Sequence, residues 1–179
     1  MLMIGGKGMF EEKTIESKSI YEGKVVTLKV DKVQVHNGGQ SSREIVVHPG
    51  GCAIVAVKDD KIILVRQFRK AIEQNILELP AGKLDPGEDP LECAVRELQE
   101  ETGYIARNVK SLGSIYPTPG YSNEIIHLFY SDDLEPGEAH PDEHESIDIE
   151  KYSIDEVLDK VRKGEIRDGK TVAGILMSF

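Results

Sequence analysis

Three glutamates near the middle of the chain have the types and spacing of a metal-ligand set. Glu97, Glu100 and Glu101 stand at i, i+3 and i+4, which on a helix crowds them onto one face. Like charges at that spacing repel, and the C-terminal end of a helix is the wrong place for anions. A lone pair would read as a solvated acidic face. Three together point to hard oxygen ligands for a divalent cation, Mg²⁺ or Mn²⁺. Upstream, Leu79-Pro80-Ala81-Gly82 ends a short strand and turns sharply into Lys83-Leu84-Asp85-Pro86-Gly87-Glu88. Gly82 and Gly87 permit tight backbone, so the carbonyl of Ala81 is placed to face the carboxylates. Arg96, beside Glu97, is expected to orient a carboxylate rather than meet solvent.

The element that must hold these glutamates is a helix over 89–102. Asp89 is a natural N-cap, Pro90 falls at N1, and Glu92 at N3 gives capping-box spacing. Leu91, Ala94, Val95 and Leu98 recur with helical period and predict one buried stripe, and Gly103 is suited to the left-handed C′ position. Strands are expected over 24–35 and 43–47, joined by His36-Asn37-Gly38-Gly39. The β-branched runs 52–57 and 62–65 make a second hairpin around Lys58-Asp59-Asp60-Lys61. Further strands are read at 111–116, 124–130 and 147–151, an acidic loop over 132–146, a helix capped by Ser153 and Glu156, and a last helix over 170–178. The first twenty residues show no firm period and read as partly loose. The class is α/β, of the α+β kind: a small N-terminal β-rich segment over 1–48, then a domain over 49–179 in which helices and a mixed sheet form a sandwich.

Composition narrows the partners. The 179 residues carry 22 Lys+Arg against 32 Asp+Glu, a formal net charge of −10, and such a field repels nucleic acid and anionic membranes. An anionic ligand therefore needs a local reversal of sign, by a metal or by placed arginines. No apolar run approaches the roughly 20 residues that span a bilayer. The opening residues lack a signal core, and Cys52 and Cys93 are too few for a disulfide framework, which points to the cytoplasm. Two weaker patterns carry no chemistry: Gly5-Gly6-Lys7-Gly8 lacks P-loop spacing, and His140 and His144, with Pro141 between them, read as solvated loop residues rather than zinc ligands.

Residues 82–104 resemble the Nudix box, GX5EX7REUXEEXGU. Gly82, Glu88, Arg96-Glu97-Leu98-Gln99-Glu100-Glu101-Thr102-Gly103 and Tyr104 occupy its positions in order. The resemblance implies a Nudix αβα sandwich that cleaves a nucleoside diphosphate linked to another moiety. It also implies a metal site formed by Glu97, Glu100 and Glu101 with the Ala81 carbonyl. Beyond the box, the chain is similar to the ADP-ribose pyrophosphatase branch. That similarity runs through Tyr21-Glu22-Gly23, Arg43-Glu44-Ile45, Arg66-Gln67-Phe68-Arg69, Pro119 sixteen residues after the last box glycine, and the acidic stretch around Asp142-Glu143-His144-Glu145.

The branch resemblance implies hydrolysis of ADP-ribose to AMP and ribose 5-phosphate. Arg66 and Arg69 are then expected at the phosphates, with Pro119 a further substrate residue. Tyr21 is expected to stack on adenine and Arg43 to contact the same substrate. Both would come from the partner of a homodimer with swapped N-terminal strands. Glu143 is implied as general base, with Glu100 the next choice, and Glu145 as a further metal ligand. Two other readings stay open: a Nudix hydrolase for another nucleotide sugar or a damaged nucleotide, and a non-hydrolysing ADP-ribose sensor, which the intact box carboxylates oppose.

Overall fold

A computed structural model describes residues 11–140 and 146–179. The chain divides into two compact units, one of residues 1–48 with 118–124 and one of 49–117 with 125–179. In the first, β1 (Lys13–Glu22), β2 (Thr27–Gln34) and β3 (Gln40–Val47) form an antiparallel sheet in that order. Its turn closes as the glycines at 38–39 require, with Gly38 at φ 83°. The segment 118–124 docks on β3 through Val46 N–H to the Tyr121 carbonyl at 2.7 Å. The expectation of a loose beginning is corrected over 13–22, which pair along β2. Every residue of β1 is exposed, so there is no buried face to impose an apolar alternation on the sequence.

The second unit is built on a seven-stranded mixed sheet. Its main path runs β12 (Ile147–Ser153), β5 (Lys61–Arg69), β4 (Gly51–Lys58), β10 (Ile126–Ser131), β9 (Lys110–Ile115), with β6 (Gln74–Glu78) against β5 and β7 (Ala81–Lys83) against β4. Only β4 and β10 pair in parallel among the described strands. β4 is apolar and buried from Gly51 to Val57 because both its faces are covered. Cys52, Ile54 and Ala56 face α1 (Pro90–Thr102), packing with Cys93, Ala94 and Leu98. Ala53, Val55 and Val57 face the opposite way, with Val157 of α2 (Ile154–Arg162) and Ile175 of α3 (Gly169–Ser178). One strand thus ties together helices on both faces, the expected sandwich. None of the helices among the described residues is long and apolar enough to cross a membrane.

Three local expectations change. Asp89 caps α1 by accepting the Leu91 N–H at 2.8 Å, at N2 rather than N3. The reciprocal capping box forms instead at Ser153 and Glu156 of α2. The buried stripe of α1 is Cys93, Ala94, Leu98, Glu101 and Thr102, while Leu91 is 41% exposed. Within the expected acidic loop, Asp133–Pro136 forms β11, which pairs with β8 (Tyr104–Arg107).

Candidate active site

The sandwich delivers three parts to one place: the end of β6, the turn into β7, and the last two turns of α1. β7 is fixed by pairing with β4, Cys52 opposite Gly82 and Ala53 opposite Ala81. Above it lies Glu101, only 7% exposed although ionisable. Its Oε2 accepts the Ala81 N–H at 3.1 Å, so the contact shown at Ala81 is through its amide hydrogen. Glu97 lies against Gly82 so closely that any side chain there would collide with its carboxylate. That close approach is what the glycine is for. Buried carboxylates lose hydration and persist only where donors or cations meet them.

Arg96 is the organiser of this cluster. Its Nη1 donates to Glu97 Oε1 at 2.8 Å and Glu100 Oε2 at 2.9 Å, while Nε donates to Glu88 Oε1 at 2.8 Å and Nη2 to Glu88 Oε2 at 3.1 Å. The Arg96 guanidinium holds the Glu88 carboxyl down at about 2, helped by the Asp85 N–H. The same contact with Glu88 raises Arg96 further above its ordinary value. Among the described residues no three His, Cys, Asp or Glu side chains converge as metal ligands, and Arg96 Nη1 bridges two of the candidates. In donor type Glu97, Glu100 and Glu101 nevertheless fit a hard divalent cation, and the bare backbone at Gly82 brings one of them onto the turn.

The arginines expected at the phosphates are both held by acids. Arg66 pairs with Glu150 of β12, through Nε and through Nη2 at 3.3 Å. Arg69 grips Glu78 with Nε at 2.6 Å and Nη2 at 2.9 Å, and its own side chain stays 41% exposed. The contact with Glu78 raises Arg69 further above its ordinary value, with smaller contributions from the charges of Asp168 and Glu101. Burial works against ionisation of Glu78, yet Arg69 and Lys170 together hold its carboxyl below the ordinary value.

The remaining expected residues belong to the N-terminal unit or fall outside the described residues. Tyr21 stands 60% exposed on β1. Arg43 on β3 donates Nε to Glu12 Oε2 at 2.8 Å and Nη1 to Ser41 Oγ at 2.9 Å. Pro119 belongs to the segment packed on β3. Glu143 and Glu145, with His144, lie outside the described residues. Sequence reasoning gave no role to Glu78, Glu150, Asp168 or Lys170. The spacing of Asp168 and Thr171, an N-cap three residues before a hydroxyl, was the one local signal available for α3.

A model of the NUDIX domain matches residues 47–174. The methanol dehydrogenase activator of Bacillus methanolicus is 45% identical over 170 residues, 93% of this chain and 92% of that protein. The ADP-ribose pyrophosphatase of Bacillus subtilis (strain 168) is 44% identical over 168 residues, 92% of this chain and 91% of that protein. The solved structure of an ADP compounds hydrolase superposes with a TM-score of 0.86 over 97% of this chain and 95% of its own, at 23% identity, which speaks for the fold.

Proposed function

Because this chain belongs to the NUDIX domain family, we propose that it hydrolyses the pyrophosphate bond of ADP-ribose to AMP and ribose 5-phosphate in the presence of Mg²⁺ or Mn²⁺. The observation that carries this reading is the packing of Glu97 and Glu101 onto the Gly82 and Ala81 backbone, an arrangement costly to stability. The substrate follows the ADP-ribose pyrophosphatase relative.

Each residue then has a task. A divalent cation held at the site would supply neutralisation of the phosphate charge and a lowered pKa for the attacking water. Glu97, Glu100, Glu101 and the Ala81 carbonyl would hold it, with Glu145 completing the set. Arg96 keeps Glu97 and Glu100 aligned and neutralises them when no cation does. Arg69 presents the edge of its guanidinium not engaged by Glu78 to a phosphate oxygen, a charge-assisted contact. Arg66 adds a second cation. Glu143 takes the proton of the attacking water, and Glu100 is the next candidate. Tyr21, Arg43 and Pro119 bind the adenosine side. Tyr21 and Arg43 do so from the neighbouring subunit of a cytoplasmic homodimer whose exposed β1 strands cross over.

A substrate panel with Mg²⁺, read by product chromatography, tests the reading. AMP and ribose 5-phosphate as the fastest-formed products support it. Equal or better turnover of GDP-mannose or 8-oxo-dGTP overturns the ADP-ribose assignment. Tight ADP-ribose binding with no product would mark a sensor instead.

A further inference from the structure

Glu78 ends β6, one step before the turn that carries Ala81 and Gly82, and it is 1% exposed. Arg69 grips both its oxygens. A carboxylate and a guanidinium bound in this way have no net charge, so the pair by itself offers little attraction to an anion. A second cation, itself beside a second acid, joins the pair. Lys170, in the first turn of α3, donates from Nζ to Glu78 Oε2 and lies 3.0 Å from Asp168 Oδ2. Its side chain is 12% exposed, far less than a lysine ordinarily is. Asp168 has its own donors in the N–H of Thr171 at 3.0 Å and the hydroxyl of Thr171 at 2.6 Å, at a helix N-terminus that favours an anion. The hydroxyl of Thr171 in turn accepts the Leu79 N–H at 2.8 Å. The first turn of α3 therefore holds two consecutive residues, Glu78 at the end of β6 and Leu79 just after it.

We propose that Lys170 is a positioning residue that offsets the charge of Glu78: with Asp168 counted the four side chains sum to zero, whereas without Lys170 two acids would stand against Arg69 alone, so that Arg69 is held in a fixed pose by its carboxylate without a net negative charge facing the phosphates of the substrate. The inference rests on the reading of Arg69 as a phosphate contact. The two roles of the acid, orienting and neutralising, are in conflict with Arg69 alone. Lys170 eases the conflict by sharing Glu78 Oε2 with Arg69 Nη2.

The test uses inorganic pyrophosphate as a probe, its binding measured by calorimetry in EDTA, beside the KM and kcat for ADP-ribose. Lys170→Met is expected to weaken pyrophosphate binding and raise KM about tenfold, with a much smaller change in kcat. Lys170→Arg should retain most of the affinity. The double variant Lys170→Met with Glu78→Gln should recover it, because acid and lysine are removed together. Glu78→Gln alone should bind pyrophosphate more tightly than the wild type. A merely structural Lys170 would lower kcat and thermal stability together, and the double variant would then be worse than either single change. Unchanged pyrophosphate affinity in folded Lys170→Met, or weaker affinity in Glu78→Gln, overturns the proposal. Should the wild type turn over no ADP-ribose, the substrate reading fails, and the pyrophosphate series still decides the role of Lys170.

Discussion

Helices α1 and α2 are both well capped at their N-termini, yet they treat their C-termini in opposite ways. α2 has Asp155 and Glu156 in its first turn and Lys160 and Arg162 in its last, the arrangement that the helix dipole favours. α1 has no basic residue in its last turn and instead gathers Glu100 and Glu101 there, with Glu97 one turn earlier. α2 is amphipathic in the ordinary sense, while α1 turns a carboxylate inward among Ala94 and Leu98. The difference separates a helix selected for stability from one whose last turns are given over to chemistry. Local rules obeyed at one place and broken at another of the same chain mark where function lies.

Removing the charge of Glu101 should break the comparison most sharply. Glu101→Gln keeps an oxygen for the Ala81 N–H but takes one anion out of the cluster. Metal-dependent turnover should fall by roughly two orders of magnitude or more, while thermal stability stays level or rises as repulsion is relieved. Steady-state rates across a Mg²⁺ titration, with melting curves, check both halves; undiminished turnover removes Glu101 from the metal site.

The acid cluster should also shape the response to pH. Glu88 has its carboxyl depressed from an ordinary 4.5 to about 2 by Arg96, so its ionised form is favoured in the folded state. That contribution is complete above about pH 4.5 and is lost as pH falls toward about 2. The variant Glu88→Gln is less stable than wild type at pH 7, and the gap should narrow between pH 4.5 and pH 2. Denaturant melts at several pH values read this directly, and a gap independent of pH would detach Glu88 from Arg96.

On the other helix the effects should be smaller and confined to stability. Ser153→Ala removes the side-chain arm of the capping box, the hydroxyl that accepts the Glu156 N–H, and leaves the backbone arm; it should cost about 1 kcal/mol, leaving kcat unchanged. Arg162→Ala removes one favourable charge at the C-terminus of α2 and should cost about 0.3 kcal/mol, a loss that disappears in high salt. Urea melts with parallel assays separate these from the behaviour of α1. A loss of turnover in Ser153→Ala would show that α2 is more than scaffold.

What could be read in advance follows the range of the interactions involved. The α1 glutamates, the glycine turn and the Ser153 cap are encoded within a few residues of one another, and the helices and hairpins were legible from them. The ion pairs between distant parts of the chain were not. Lys170 meets Glu78 across 92 positions, and Arg66 meets Glu150 across 84. No local pattern specifies such pairs, because each partner alone looks like a surface charge. β1 escaped notice for a different reason: with all its residues exposed, it has no alternation to detect. The stripe of α1 was misplaced because polarity was taken to exclude Glu101 from it, a fair rule everywhere except at a site. Glu143 and Glu145 rest on resemblance to a family, and their roles remain proposals.

The parallel pairing of β4 with β10 sets an order on how the molecule can assemble. Gly51 stands opposite Ile126, 75 residues further along the chain, whereas β4 reaches β5 across a two-residue turn at Asp59 and Asp60. Hairpins of that kind close in microseconds, while distant parallel contacts must first overcome the entropy of a long loop. The hairpin and the capped segment of α1 can therefore form early, and the sheet closes around them later. The helix that carries the acidic cluster can thus precede the closed sheet that supports β7. Agents that slow strand closure should delay the appearance of activity far more than the appearance of helical signal.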